Sequence, residues 1–211
     1  MILIWGWRTL FKVLGVGEFH CPRCQADAPY KLRQPRRWFT FFFLPVFPVA
    51  AAGPSFVECQ YCKDAYREQI LQTPTNQQLG RLLHLAARAT YARLVEVGYR
   101  ESDHMVDRAL AQVRAMVGDD YQRADLIADV AGFSGQPLGQ FLSPLAAHMA
   151  LQGREAMVAG FAWFAHSDGP PPAQVEEVVN QAAALLHITA THLAGITAQV
   201  TAPSPGAAGT G

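Results

Sequence analysis

The stretch that decides the fold runs from "CPRC" at residues 21–24 to "CQYC" at residues 59–62. These two pairs hold all four cysteines of the 211-residue chain and stand 34 residues apart. Two CxxC pairs on separate turns can wrap four thiolates round one tetrahedral zinc ion. The two-residue gap lets a single turn supply two sulfurs, with its backbone N–H groups aimed at them. Cys21, Cys24, Cys59 and Cys62 are therefore the expected ligands. Four protein ligands close the shell and leave no position for water, so the expected role is structural. His20 directly precedes Cys21 but is not needed to complete the set. The competing reading is two disulfides or two redox pairs. A redox CxxC opens a helix in a βαβ pattern, and no such pattern is visible here.

Between the pairs the chain reads as strands. "YKLRQPRRWFTFFFLPV" is rich in aromatic and large apolar residues with proline punctuation, and "PSFVECQYC" carries the second pair in on a strand. Two knuckles and a small antiparallel sheet are expected. So small a domain buries too little surface to be stable alone, and the metal supplies the difference.

The apolar run "WFTFFFLPVFPVAAA", residues 38–52, raises the question of a membrane span. At fifteen residues, cut by Pro45 and Pro48, it is too short and too interrupted for a spanning helix. As a strand it is apolar on both faces. One face can lie on the sheet, and the other needs a cover. The expected covers are the N-terminal "MILIWGW" and the second half of the chain.

From Thr75 onward Ala, Leu, Val and Arg dominate, at helical spacing. Thr75 after Pro74, Ser102 and Thr189 are expected N-caps. Val106, Ala109, Leu110, Val113, Met116 and Val117 form one stripe. Val175, Val178, Val179, Ala182, Leu185 and Leu186 form another. "DDYQRADLIADVAGF" reads as a short helix ended by Gly132. "PLAAHMALQGREAMVAGFAWFAHSDG" reads as a helix or helix pair, broken near Gly153 and stopped at Gly169. The fold class is α+β as two modules. The expected boundaries are 1–67 for the metal-bound β module with its apolar start, 68–74 for a linker, 75–200 for an all-α domain and 201–211 for a disordered tail.

Charge is divided the same way. Residues 1–67 hold nine Lys/Arg and four acids, a net +5, and the remainder holds eight Arg and thirteen acids, a net −5. The overall zero argues against a strong nucleic-acid binder. The basic half either docks on the acidic half or faces an acidic partner. Arg33, Arg36 and Arg37 with Trp38 to Val49 suit contact with an anionic membrane surface. The same arginines with Trp38 and Phe39 could instead grip phosphates and stack bases.

No G-x-S-x-G, P-loop or dinucleotide fingerprint is present, and the histidines beyond His20 are scattered. No enzyme activity and no small-molecule substrate are expected. "HSDGPPPAQVEE" has two readings. Asp168 and Glu176, with Glu177, are candidates for a second metal. The preferred reading is a helix connection, with acids near the positive start of the next helix. The start of the chain lacks a basic n-region and a cleavage site. The expected location is cytoplasmic with reduced cysteines, or peripheral at the inner membrane face.

"IWGWRTLFK", "HCPRC", "YKLRQPRRWFTFFFLPVFPV" and "FVECQYC" together resemble a bacterial zinc-ribbon domain over about residues 1–67. "AGFAWFAHSDG", the acidic amphipathic helix after it and "LLHITATHLAGI" resemble the TerB-like family of tellurite-resistance and stress proteins. That second resemblance implies an all-α fold of two similar halves, a place in metal or chemical stress at the inner membrane surface, and metal binding at acidic positions. Asp168-Gly169 matches the family's turn; in the first half "EVGYRESD" has no Asp-Gly pair. Together the resemblances imply a non-enzymatic zinc-binding adaptor with protein partners.

Overall fold

The computed structural model describes residues 5–41 and 44–202, with the backbone path alone at 5, 41 and 44–49. Residues 1–4 of the N-terminal segment, 42–43 of the apolar run and 203–211 of the expected tail lie outside the described residues. The chain divides into two compact units, Met1–Gln78 and Leu79–Gly211.

The first unit is one antiparallel sheet. Its strands are β1 (Trp5–Cys21), β2 (Ala26–Phe41), β3 (Leu44–Ala51), β4 (Phe56–Cys59) and β5 (Ala65–Arg67). β2 is central. β1 pairs along one of its edges, from Trp5↔Phe41 down to Cys21↔Ala26. On the other edge β4 pairs with Tyr30–Arg33 and β3 with Arg36–Phe41. β5 pairs with β4. A bulge between Val13 and Gly15 shifts the β1 register. Gly17 lies opposite Tyr30, whose ring is so close that an added Cβ would meet it at 3.0 Å. The aromatic ring fills the space the glycine leaves and shields its backbone.

The core of this unit is small and gathers around the cysteines. Phe19, Cys21, Ala28, Val57 and Cys59 are fully buried, with Tyr30, Leu32, Tyr66, Ile70 and Leu71 packed against them. Ile70 and Leu71 come from a 3-10 turn, Glu68–Gln72. The segment read as a linker is thus ordered where its two apolar residues meet the sheet. The described residues of the N-terminal segment, Trp5 to Trp7, lie beside the apolar run and do not cover a face of it. From Trp5 onward the chain joins β2 edge to edge, because a strand hydrogen-bonded to its neighbour lies in the plane of the sheet.

The second half is helical: α1 (Asn76–Leu94), α2 (Asp103–Val117), α3 (Arg123–Gly132), α4 (Gly139–Ala146), α5 (Leu151–His166), α6 (Ala173–Leu185) and α7 (Ala190–Thr201). The expected caps form. Thr75 Oγ accepts from Gln78 N–H while Gln78 Oε1 accepts from Thr75 N–H, a reciprocal capping box. Ser102 accepts from Met105 N–H and Thr189 from His192 N–H. Val106, Ala109, Leu110 and Val113 are buried in α2, and Val175, Val178, Val179 and Ala182 in α6.

Two features differ from the sequence reading. The break in the long helical stretch falls at residues 147–150, where Ala150 turns extended, and not near Gly153. Gly153 sits in the first turn of α5, where its low helix propensity costs little. A π turn at Val95–Tyr99 extends α1. It brings the Gly98 backbone so close to α6 that an added Cβ would lie 2.2 Å from Val175 Cγ2. Tyr91, fully buried, is the centre of this unit's core, with Phe161 and Phe164 edge-on at 5.3 and 5.5 Å.

Candidate metal centre

Two knuckles present the cysteines. The first lies between β1 and β2, with Cys21 ending β1; the second follows β4, with Cys59 ending that strand. Both close in the same way. Gln25 N–H donates to Cys21 C=O at 2.8 Å, and Lys63 N–H donates to Cys59 C=O at 3.1 Å. The residue after each second cysteine is left-handed, Gln25 at φ 52° and Lys63 at φ 63°. That conformation suits glycine. Here a side chain is held in it because the knuckle must reverse tightly to aim two sulfurs at one point.

The four Sγ atoms lie within 4.8 Å of one another. Across the knuckles, Cys21 Sγ is 3.7 Å from Cys62 Sγ, and Cys24 Sγ is 4.0 Å from Cys59 Sγ. Zinc–thiolate bonds of about 2.3 Å in a tetrahedron require sulfur–sulfur edges of about 3.8 Å. The cluster thus has the size zinc needs. All four cysteines are free, and these separations are far from the ~2.05 Å of a disulfide.

The thiols themselves show why a cation belongs there. Burial pushes the Cys21 thiol up, but hydrogen bonds from the Tyr66 hydroxyl at 3.4 Å and from the backbone N–H groups of Cys24 and Arg23 outweigh it, and its pKa falls from 9.0 to about 6. Burial and then the neighbouring sulfurs drive Cys24 the other way, to about 12. Without a metal, one ionised sulfur keeps another protonated, since like charges at this distance repel. A doubly charged ion removes that conflict and lets the thiolates coexist.

Around the sulfurs, a second layer ties the knuckles together. Arg23 Nη1 donates to both carboxylate oxygens of Asp64, at 2.7 and 2.9 Å. The pair spans from one knuckle to the other at the surface. Asp27, just past the first knuckle, accepts from the N–H groups of Asn76 at 2.9 Å and Gln77 at 3.3 Å. These bonds, with His20 Nδ1 at 3.3 Å, hold its carboxyl below the ordinary range. Asp27 thereby satisfies the first free N–H groups of α1. His20 is a partner of Asp27.

Residues 19–87 match a zinc-ribbon family model. Both knuckles and strands β2 to β5 lie inside that match, which takes in only the last residues of β1, extends into α1 and spans 69 of the 211 residues. No curated protein and no solved structure matches the chain. The resemblance of the second half to TerB-like proteins is supported by no match. The N-terminal sheet thus carries a zinc-ribbon match over residues 19–87, and its Cys21, Cys24, Cys59 and Cys62 are placed to hold a structural zinc ion.

Asp168 and Glu176 are both exposed. Asp168 stands beside the left-handed Gly169 (φ 105°), and Glu176 in the first turn of α6. Among the described residues they join no group of three or more metal-ligating side chains; the four cysteines do. The arginines of the apolar segment are not equivalent. Arg33 pairs with Glu58 at 3.1 Å, while Arg36 and Arg37 have no ion-pair partner among the described residues. Sequence reasoning missed the left-handed Gln25 and Lys63, since glycine is the visible marker of such a turn. It also missed Tyr66 and Asp27, whose contacts depend on strand pairing and carry no local signal.

Proposed function

We propose that this protein is a non-enzymatic adaptor, a zinc-ribbon domain joined to a helical interaction module. The observation that carries the reading is the closed set of four thiolates. A shell filled by sulfur has no position for water or substrate, so the zinc serves the shape of the sheet. Beyond the small core at the knuckles, that sheet continues as a long hairpin with Trp7, Phe11 and Val16 each at least half exposed. Exposed aromatic residues on a rigid element suit a contact surface better than a reaction centre. The resemblance of the helical module to TerB-like stress proteins extends the proposal to a role in metal or envelope stress, with protein partners and a cytoplasmic or inner-face location.

The test is affinity capture by the full zinc-loaded chain from its native host, with quantitative mass spectrometry. A partner recovered near one copy per chain, and lost when the zinc is chelated, is the expected result. Recovery of nucleic acid alone, released by moderate salt, would replace the adaptor reading with a nucleic-acid-binding one.

A further inference from the structure

The distal halves of β1 and β2 form a hairpin, with β3 paired along the other edge of β2 in the same sheet. Directly opposed residues of an antiparallel pair share a face, so the register assigns every side chain. One face carries Trp7/Phe39, Thr9/Arg37, Phe11/Pro35 and Val13/Arg33; the other carries Arg8/Trp38, Leu10/Arg36 and Lys12/Gln34. Aromatic residues and cations therefore occur on both faces. Trp7 is 58% and Phe11 51% exposed. Trp7 and Phe39 meet edge-on at 5.6 Å, and Phe11 meets Phe56 at 5.6 Å.

The order along the hairpin is also specific. The five basic residues, Arg8, Lys12, Arg33, Arg36 and Arg37, fall in the rows from Arg8/Trp38 to Val13/Arg33, and no acid occurs on either strand in those rows. Arg8, Lys12, Arg36 and Arg37 have no ion-pair partner among the described residues. Toward the end farthest from the cysteine knuckle, here called the tip, the rows carry no charge: Trp7/Phe39, Gly6/Thr40 and Trp5/Phe41. From the Arg8 row to the Trp5 row is three residues, about 10 Å at strand rise.

We propose that this hairpin docks on an anionic lipid surface, tip first, with its basic band at the headgroups. This names the contact surface of the adaptor reading and rests on that reading. The two-faced pattern selects the occupant. A protein partner laid on the face with Trp7, Phe11 and Arg37 would leave the exposed cations Arg8 and Lys12 of the other face unmatched. A lipid interface surrounds both faces at once. The uncharged rows reach the ~5–10 Å depth at which amphipathic elements seat themselves at the acyl boundary. Tryptophan belongs at that boundary and arginine just outside it. Arg8, Lys12, Arg36 and Arg37, without an ion-pair partner among the described residues, complement anionic headgroups; Arg33 is taken by Glu58. A nucleic acid would use the cations but has no use for an uncharged tip.

The experiment is co-sedimentation of the full zinc-loaded chain with phosphatidylcholine vesicles, with and without phosphatidylglycerol. The expected result is binding to the anionic vesicles that weakens with salt. Each basic residue at such a surface raises partitioning about five-fold, so Arg8→Gln with Lys12→Gln lowers it about 25-fold. Trp7→Ser with Phe11→Ser, both at exposed positions, abolishes binding while one zinc per chain is retained. A chain that stays in the supernatant with anionic vesicles at low salt overturns the proposal, and so does binding that neither double variant weakens. Binding to a single-stranded oligonucleotide with indifference to vesicles also overturns it. If vesicle binding fails while the stoichiometric protein partner is still captured, the adaptor reading stands and the lipid contact falls. If vesicles bind and no partner is captured, the reverse holds.

Discussion

Removing zinc should unfold the ribbon and leave the helices intact. The size of the effect follows from the two cores. Apart from the ligands themselves, the described residues of the ribbon that are completely buried are Phe19, Ala28 and Val57. Those three side chains contribute about 6 kcal/mol of transfer free energy. Zinc bound by four thiolates contributes about 10–16 kcal/mol at neutral pH, so the metal stabilises the ribbon more than its apolar core does. The helical unit has its own core around Tyr91, Phe161 and Phe164 and includes no cysteine. Hydrogen exchange read by mass spectrometry, before and after a strong chelator in reducing buffer, separates the two. Amides of β4 and of the adjoining part of β2 should lose protection by at least about a thousand-fold, which corresponds to only about 4 kcal/mol. Amides of α2 to α7 should not change. Cys24→Ser should behave like partial chelation, with weaker metal retention and the same pattern of lost protection. If Val57 and Glu58 keep their protection after the zinc is gone, hydrophobic packing and not the metal holds the ribbon, and the reasoning fails.

Zinc affinity should fall with acid, because bound thiolates must compete with protons. Cys21 holds its proton only below about pH 6 and Cys24 up to about 12; the proton of Cys24 must therefore be displaced throughout the neutral range, and the slope of log affinity against pH should steepen by one further proton below pH 6, as a competing chromophoric chelator can measure. Lys63→Gly and Gln25→Gly should each stabilise the zinc-loaded ribbon by up to about 1 kcal/mol, since glycine accepts the left-handed conformation; a β-branched residue such as valine at either site should lower the thermal midpoint. Gly98→Ala should destabilise the helical unit by about 2 kcal/mol, the overpacking against Val175 exceeding the helix propensity gained. Combining it with Val175→Ala should cost less than the sum of the two single changes in denaturant unfolding, and strict additivity would count against the contact.

The metal centre was legible because its chemistry is written in residue type and spacing. Four cysteines in two CxxC pairs have few other uses, and the structure brings the same four sulfurs to zinc-like separations. Helix starts were legible for a similar reason: Thr75, Ser102 and Thr189 act on backbone groups three residues away, so the signal is local. The pairing of β1 was not. "WGWRTLFKVL" sets Trp7, Phe11 and Val13 on one face and Arg8 and Lys12 on the other, but such alternation names no partner strand, and "RWFTFFF" is largely apolar on both faces, so register and edge leave no trace in the pattern.

The position of the helix break shows the same limit. Gly153 is the visible helix breaker, but the chain turned at Ala150, an alanine with no breaker signal of its own. Gly98 carries no local signal of its role, yet the structure makes it a point of close backbone approach to Val175 of α6. By itself the sequence determined which residues hold the metal, which half is helical and where most helices begin, since these rest on ligand chemistry, periodicity and short-range hydrogen bonds. The tertiary structure alone decided that the chain from Trp5 onward is an edge strand, that Asp27 caps α1, and that the hairpin shows aromatic and basic residues on both faces. Those outcomes depend on which distant segments pair, and a hydrogen-bonded ladder can select its partner without marking either strand.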